Sequence, residues 1–233
     1  MASKLLRRSG VGVALVCDTL KWQADCFVQV GVGVQYEEID VLIEEWKLQP
    51  DQIVGFEADP EVYQCIRPRF PGSLVNVAVS DKAGEVIIYH KIKHPGGSSL
   101  YPFLKSDERI KKYTVRADTI DNLIPNVSPE RKILFWVDCE GHELNVLTGA
   151  EQFVRHVDVI NVEMSMKPQG IGWCDPNDVH QWILDHDFYA AWVHTHRVCN
   201  GQVDYVYVKP HLFRPEYCCF PWERERFKCR KTI

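Results

Sequence analysis

The feature that most limits what this chain can become is an apolar run broken by two glycines, Phe27-Val-Gln-Val-Gly-Val-Gly-Val, followed by a second run, Ile53-Val-Gly-Phe-Glu-Ala-Asp-Pro. A buried strand, a glycine turn, an amphipathic segment and a second strand ending on one acid, Glu57, describe a βαβ unit with a crevice at the strand ends. Gly31 and Gly33 let backbone approach a ligand where a Cβ would collide. A carboxylate at the tip of the neighbouring strand can accept both hydroxyls of a ribose. A Gly-x-Gly turn also serves a strand that merely needs a tight exit, so the turn alone does not fix a ligand. A dinucleotide site would place its third glycine at position 36, where Tyr36 stands. A side chain of that size obstructs pyrophosphate packing on the helix and favours an adenosine ligand without a pyrophosphate.

The rest of the chain repeats the strand and helix alternation. Ile39, Leu42, Ile43 and Trp46 recur at helical spacing and stop before Gln49-Pro50. Asp59-Pro60 and Asp175-Pro176 read as N-caps with proline at the first helical position. Strands are expected over Leu74 to Val79, over Val86 to Tyr89 as a hairpin or edge, over Ile133 to Val137, and over Val157 to Val162 with Glu163 at the end. A helix is expected through Leu144, Leu147, Ala150 and Val154. Phe188 to Val193 and Val203 to Val208 read as a closing antiparallel pair. The region from His94 to Arg116 reads as an irregular surface loop with a short helix, either a lid or substrate-selecting insertion or a disordered stretch. This pattern predicts a doubly wound α/β domain over residues 26–209, preceded by a helix or loop extension over 1–25 and followed by a tail over 210–233.

Composition narrows the function. At 233 residues, with 45% hydrophobic and 25% charged, the chain can bury one full core. A formal net charge of -5 argues against duplex nucleic acid as the main partner. The nine cysteines are scattered with no C-x-x-C pair, so neither a zinc ribbon nor a disulfide scaffold is indicated, and a reducing cytoplasm is expected. The N-terminal Lys4-Leu-Leu-Arg-Arg and the apolar Val11 to Val16 resemble a short signal peptide, but Asp18 and Lys21 interrupt the next residues; neither secretion nor a membrane span is expected. His194-Thr-His196 lacks further ligands for a metal, and no Gly-x-Ser-x-Gly elbow or Walker loop is present.

Ligands of open α/β sheets bind beyond the carboxyl ends of the strands, near the reversal of strand order. Gly31, Glu57, Ala78, Asp138 and Glu163 should therefore meet in one crevice. Asp138 and Glu140 are separated by one residue, so a continued strand would project both carboxylates to one side and turn Cys139 into the core. Two such acids raise one another's pKa, which suits a general base or a pair of divalent-metal ligands. Glu143 and Glu163 could complete that site; Glu140 and Glu143 also suit the positive end of a helix dipole. His142 beside them is either a proton shuttle or a surface residue of a first helical turn.

With Gly55-Phe-Glu-Ala-Asp-Pro-Glu, Asn76-Val-Ala-Val-Ser-Asp, Gly97-Ser-Ser-Leu, Thr119-Ile-Asp-Asn-Leu, Val137-Asp-Cys-Glu-Gly-His-Glu-Leu-Asn-Val-Leu-Thr-Gly-Ala and Val162-Glu163 in order, the chain resembles the FkbM-type family of S-adenosylmethionine-dependent methyltransferases from about Phe27 to Val208. The resemblance implies a Rossmann-like class I methyltransferase fold, a mostly parallel seven-stranded sheet with an antiparallel edge strand. It implies O-methylation of a hydroxyl on a sugar, glycan or small natural product, with S-adenosylmethionine as cofactor. It places Gln29, Gly31, Gly33, Glu57, Ala58, Ala78 and Asp138 against the cofactor, Asp138, Glu140 and His142 at the chemistry, and Ser98, Ser99 and Glu163 near the acceptor. A magnesium ion held by Asp138 and Glu163 is the alternative to a carboxylate base. The chain departs from the family where Gln29 replaces a customary acid and Trp136 a customary lysine, which keeps open a non-catalytic cofactor-binding or protein-interaction module. A nicotinamide oxidoreductase is the weakest reading, given Tyr36.

Overall fold

The computed structural model of the chain describes residues 12–34, 37–105, 109–195, 201–218 and 220–230. Tyr36, His196 and residues 1–11 lie outside them. Strands β1 (Cys26–Val30), β2 (Ile53–Glu57), β3 (Ser73–Asn76), β7 (Ile133–Val137), β8 (Val157–Ser165), β9 (Tyr189–Thr195) and β10 (Gln202–Val208) form a seven-stranded sheet in the order β3-β2-β1-β7-β8-β10-β9. The first five run parallel, and β10 is antiparallel to both β8 and β9. The chain is thus a Rossmann-like α/β fold with a reversed strand near one margin. Strand order reverses between β1 and β7, which opens a crevice at their carboxyl ends.

Apolar runs form the central strands because both of their faces are covered. All five residues of β7 are buried, and Phe27, Leu134, Phe135, Val137, Val159 and Ile160 have no exposed surface. Each such side chain contributes about 1.5–3 kcal/mol relative to exposure. Trp136 belongs to this core, 5% exposed and packed edge-on to Phe27 at 6.4 Å. The helix Gly12–Leu20 packs Val13, Val16 and Cys17 into the same core. Among the described residues no helix is long and apolar enough to cross a membrane, and Cys17, Cys26, Cys65, Cys139, Cys174 and Cys218 are thiols, not halves of disulfides.

Local signals predicted the caps correctly. Asp59 accepts from the N–H groups of Glu61 and Val62 at the start of the helix Pro60–Ile66, and Asp175 accepts from Asn177 at the start of Pro176–Asp185. Three expectations need correction. The third strand ends at Asn76, and Ala78–Val79 is a separate strand, β4, which joins a second sheet with β5 (Gly84–Lys91) and β6 (Ile110–Asp118) in the order β4-β6-β5. The last part of the supposed loop from 94 to 116, from Ile110 on, is strand β6, paired antiparallel with β5 from Ile110 to Ala117. Strand β8 continues past Glu163 to Ser165 because β10 pairs with it from Val159 to Ser165.

Candidate functional site

At the carboxyl ends of β1, β2 and β7 lies a cleft of about 350 Å³, roofed on one side by Ala78 and Ile88 of the second sheet. Small-molecule sites begin at about 300 Å³. Gly31, Gly33, Glu57, Ala58, Ala78, Ser98, Ser99, Asp138, Glu140, His142 and Glu163 all line it. Gln29 does not: it is 4% exposed beneath the turn, where its side-chain amide donates to the Gly31 carbonyl at 3.1 Å and its Oε1 has no partner. The side chain is used up in holding the Gly31 carbonyl of the turn and does not reach the cleft.

The two glycines differ in what they permit. Gly31 has φ of +76°, and a Cβ there would sit 1.6 Å from the carbonyl oxygen of Asp138. On the side where a Cβ would project, its close neighbour is therefore the backbone at the end of β7. Gly33 has φ of +66°, with no atom within 4 Å of a Cβ placed there. Its N–H donates to Glu57 Oε2 at 2.9 Å, while Asp59 N–H donates to Glu57 Oε1 at 2.8 Å. A carboxylate offers about four lone-pair positions, and with the Val32 N–H also bearing on this one, acceptor capacity is still left for a hydroxyl donor in the cleft. Burial pushes the Glu57 carboxyl up to about 7 against the pull of those N–H groups. Behind it, His90 Nδ1 lies 2.6 Å from Asp59 Oδ2, tying the second sheet to the loop that holds Glu57. An acid presented by backbone amides beside an open glycine can accept hydrogen bonds from the hydroxyls of a ligand in the cleft.

The acids meet across the cleft floor, by a different route from a continued strand. Strand β7 stops at Val137, and Glu140 and Gly141 then take φ of +50° and +95°, which swings Glu140 back toward Asp138. One carboxylate oxygen from each of Asp138, Glu140 and Glu163 lies within 4.8 Å of the others. Burial first, then the charges of Glu163 and Glu140, hold the Asp138 carboxyl well above its ordinary value. Burial likewise raises Glu140 to about 7, with Lys91 pulling the other way. Gln202 Nε2 donates to both Glu140 oxygens at 3.3 Å. Glu143 is not part of the cluster: its carboxylate turns back onto Gly141 N–H at 2.9 Å and the Cys174 thiol at 3.1 Å.

His142 is 6% exposed, held between Ser80 Oγ at 3.0 Å and Tyr101 Oη at 3.1 Å, and burial lowers it to about 4. It is an uncharged tether at neutral pH, with both ring nitrogens engaged. The Ser98 hydroxyl donates to Pro95 O at 2.8 Å and that of Ser99 to Glu140 O at 2.7 Å, so both fix the cleft wall. Sequence reasoning missed Lys91, Gln202 and Tyr101, which reach the site from strands and loops remote in the chain. Only the polar Gln202 at the start of a closing strand gave any signal.

These pKa shifts have a stability consequence. Glu57 and Glu140, near 7 when folded against 4.5 ordinarily, hold protons that the unfolded chain releases between those values. Their contribution is complete below 4.5 and is lost as pH rises through about 7; Asp138 acts in the same direction. His142, lowered from 6.5 to about 4, and His180, also lowered by burial, oppose them. With the raised carboxyls dominant, the ligand-free protein should lose stability as pH rises from about 5 to about 7.5, read from urea midpoints. Asp138→Asn should flatten that decline and raise stability above pH ~7 by about 1 kcal/mol. An unchanged slope would show that the acids are not mutually repulsive.

A solved methyltransferase shares this fold. The crystal structure of an FkbM methyltransferase from Methylobacillus flagellatus superposes with a TM-score of 0.54 at 14% identity, over 79% of this chain and 43% of that one. The chain thus spans less than half the length of that relative. Magnesium protoporphyrin IX methyltransferase from Synechocystis, solved with bound S-adenosylmethionine, gives a TM-score of 0.46 at 7% identity, over 90% and 85% of the two chains. Precorrin-6y C5,15-methyltransferase from Geobacter metallireducens gives 0.45 at 11% identity, over 90% and 93%. No curated protein matches by sequence. The family profile of the methyltransferase FkbM domain matches residues 25–189, which is more than half of the 233. The chain belongs to the FkbM methyltransferase family.

Proposed function

We propose that the chain is an S-adenosylmethionine-dependent O-methyltransferase acting on a hydroxyl of a sugar, glycan or small natural product. The observation that carries this reading is that Glu57 and the Asp138, Glu140 and Glu163 cluster line one and the same cleft. Family membership supports it. When bound, S-adenosylmethionine supplies an electrophilic methyl group on a sulfonium sulfur. Glu57 accepts the ribose hydroxyls, and Gly33 leaves room for the ligand beside them. The turn at Glu140 and Gly141 aims the acids at the acceptor.

Methyl transfer disperses charge, so alignment of the acceptor oxygen contributes much of the acceleration. An alcohol must also lose its proton. Glu140 takes it: its carboxyl titrates near neutrality, Gln202 fixes its orientation, and Lys91 favours its charged form. Burial and the charges of Glu163 and Glu140 favour the protonated form of Asp138 beside it, a form that can donate a hydrogen bond. A second reading, a magnesium ion held by Asp138 and Glu163, is favoured by the 4.8 Å clustering of the three carboxylates. The departures at Gln29 and Trp136 lie outside the cleft lining, which supports the catalytic reading over the non-catalytic one.

The test is to incubate the protein with S-adenosylmethionine carrying an isotopically labelled methyl and with glycan and small-molecule extracts, then to locate the label by mass spectrometry. Label on an acceptor oxygen is expected. Label on nitrogen or carbon, or none with the cofactor bound, would contradict the O-methyl reading. Loss of activity on chelation, restored by magnesium, would favour the second reading over the carboxylate base.

A further inference from the structure

Beside the cleft, two loops pair briefly outside both sheets. Leu104 N–H donates to Gln169 O at 2.8 Å, Ile171 N–H donates to Pro102 O at 2.8 Å, and Phe103 and Gly170 form an antiparallel bridge between them. In such a ribbon, bridge partners share one face and their neighbours share the other. The inner face is identified by contact: a Cβ on Gly170 would strike the Trp173 ring, and the Phe103 ring carries the Lys91 ammonium at 4.1 Å. Leu104 and Ile171 therefore project together on the outer face, 57% and 60% exposed. Met166, 52% exposed, lies on the same loop, its N–H bonded to Gly201 O next to the cleft residue Gln202.

None of these three side chains lines the cleft. Leu104 and Ile171 form a projecting apolar pair, with the exposed Met166 on the same loop as Ile171, which suits a broad surface better than the tail of a small acceptor. Charge selects the partner. Lys105 and Lys167 directly follow Leu104 and Met166, and both are exposed. Arg109 on the same segment is exposed as well, while Lys91 is turned inward over Phe103 and Lys111 pairs with Glu61 at 2.6 Å. Apolar side chains flanked by lysines are the composition of an interfacial anchor: the apolar groups enter the acyl boundary and the ammonium groups stay with anionic headgroups.

We propose that this strip docks the protein on an anionic lipid bilayer, with the cleft opening beside the membrane surface. Such attachment is separate from the chemistry and holds whether or not the acceptor is itself a lipid.

The test is vesicle flotation of the whole chain. Wild type is expected to float with phosphatidylcholine vesicles containing about 30% phosphatidylserine, to stay behind with phosphatidylcholine alone, and to detach as salt is raised. Leu104→Asp with Ile171→Asp should lower the bound fraction about tenfold, and Lys105→Glu with Lys167→Glu should do so for anionic vesicles. Both pairs are exposed, so urea midpoints and S-adenosylhomocysteine affinity should match wild type, which separates failure here from failure of the methyltransferase reading. The proposal is overturned if wild type does not bind anionic vesicles, including the case where it self-associates through the strip instead. Equal flotation of the Leu104 and Ile171 variant would overturn it too.

Discussion

Glu140→Gln should lower methyl transfer about 10²–10⁴-fold, the usual cost of removing a general base. Glutamine keeps the shape of the side chain and a contact with Gln202, so the cleft should persist and S-adenosylhomocysteine affinity should stay within about threefold. The pH profile gives the sharper readout. Because the Glu140 carboxyl is raised to about 7, wild-type activity should climb as pH rises through that value, and the residual activity of the variant should lose the inflection. Lys91, Glu143 and Gln202 all bear on this group, so Lys91→Met should move the inflection to higher pH. A variant as active as wild type would assign proton removal elsewhere.

Gly31→Ala should be the most destabilising small substitution in the site, costing about 3 kcal/mol or more. The left-handed φ alone costs about 1–2 kcal/mol for an L residue. The remainder comes from a Cβ that would stand 1.6 Å from Asp138 O, which cannot be relieved without prising β1 from β7 at the cleft. Gly33→Ala provides the control: its φ is equally left-handed but the space around it is open, so about 1 kcal/mol is expected. Urea unfolding of the two variants checks the contrast. Equal costs would mean that the approach of the strand ends is not rigid.

How much of the fold is legible in the sequence depends on the range of the interaction. Asp59-Pro60 and Asp175-Pro176 announce their helices because a cap is settled within three residues. The apolar strands β1, β2 and β7 are legible for the same reason, and with them the βαβ unit carrying Gly31, Gly33 and Glu57. Strand β6 is not, because its exposed face carries Lys112, Thr114 and Arg116, and pairing with β5 and β4, both outside its local sequence, supplies its partners. The gathering of Asp138, Glu140 and Glu163 is expected from the sequence, yet its cause is not. It depends on a positive φ at a glutamate, a choice imposed by Trp173 packing against Gly141 and by Ser99 gripping the Glu140 carbonyl. No local pattern encodes that. Lys91 and Gln202 are equally hidden, since each reaches Glu140 from a strand far away in sequence.

Calorimetric titration of the ligand-free protein with S-adenosylhomocysteine tests most directly whether this cleft is a cofactor site. Saturable one-to-one binding to wild type is predicted, weakened about tenfold to a hundredfold in Glu57→Gln, where a charged acceptor for the ribose hydroxyls is lost, and absent for NAD. No binding of the adenosyl ligand, or equal affinity in wild type and Glu57→Gln, would contradict it.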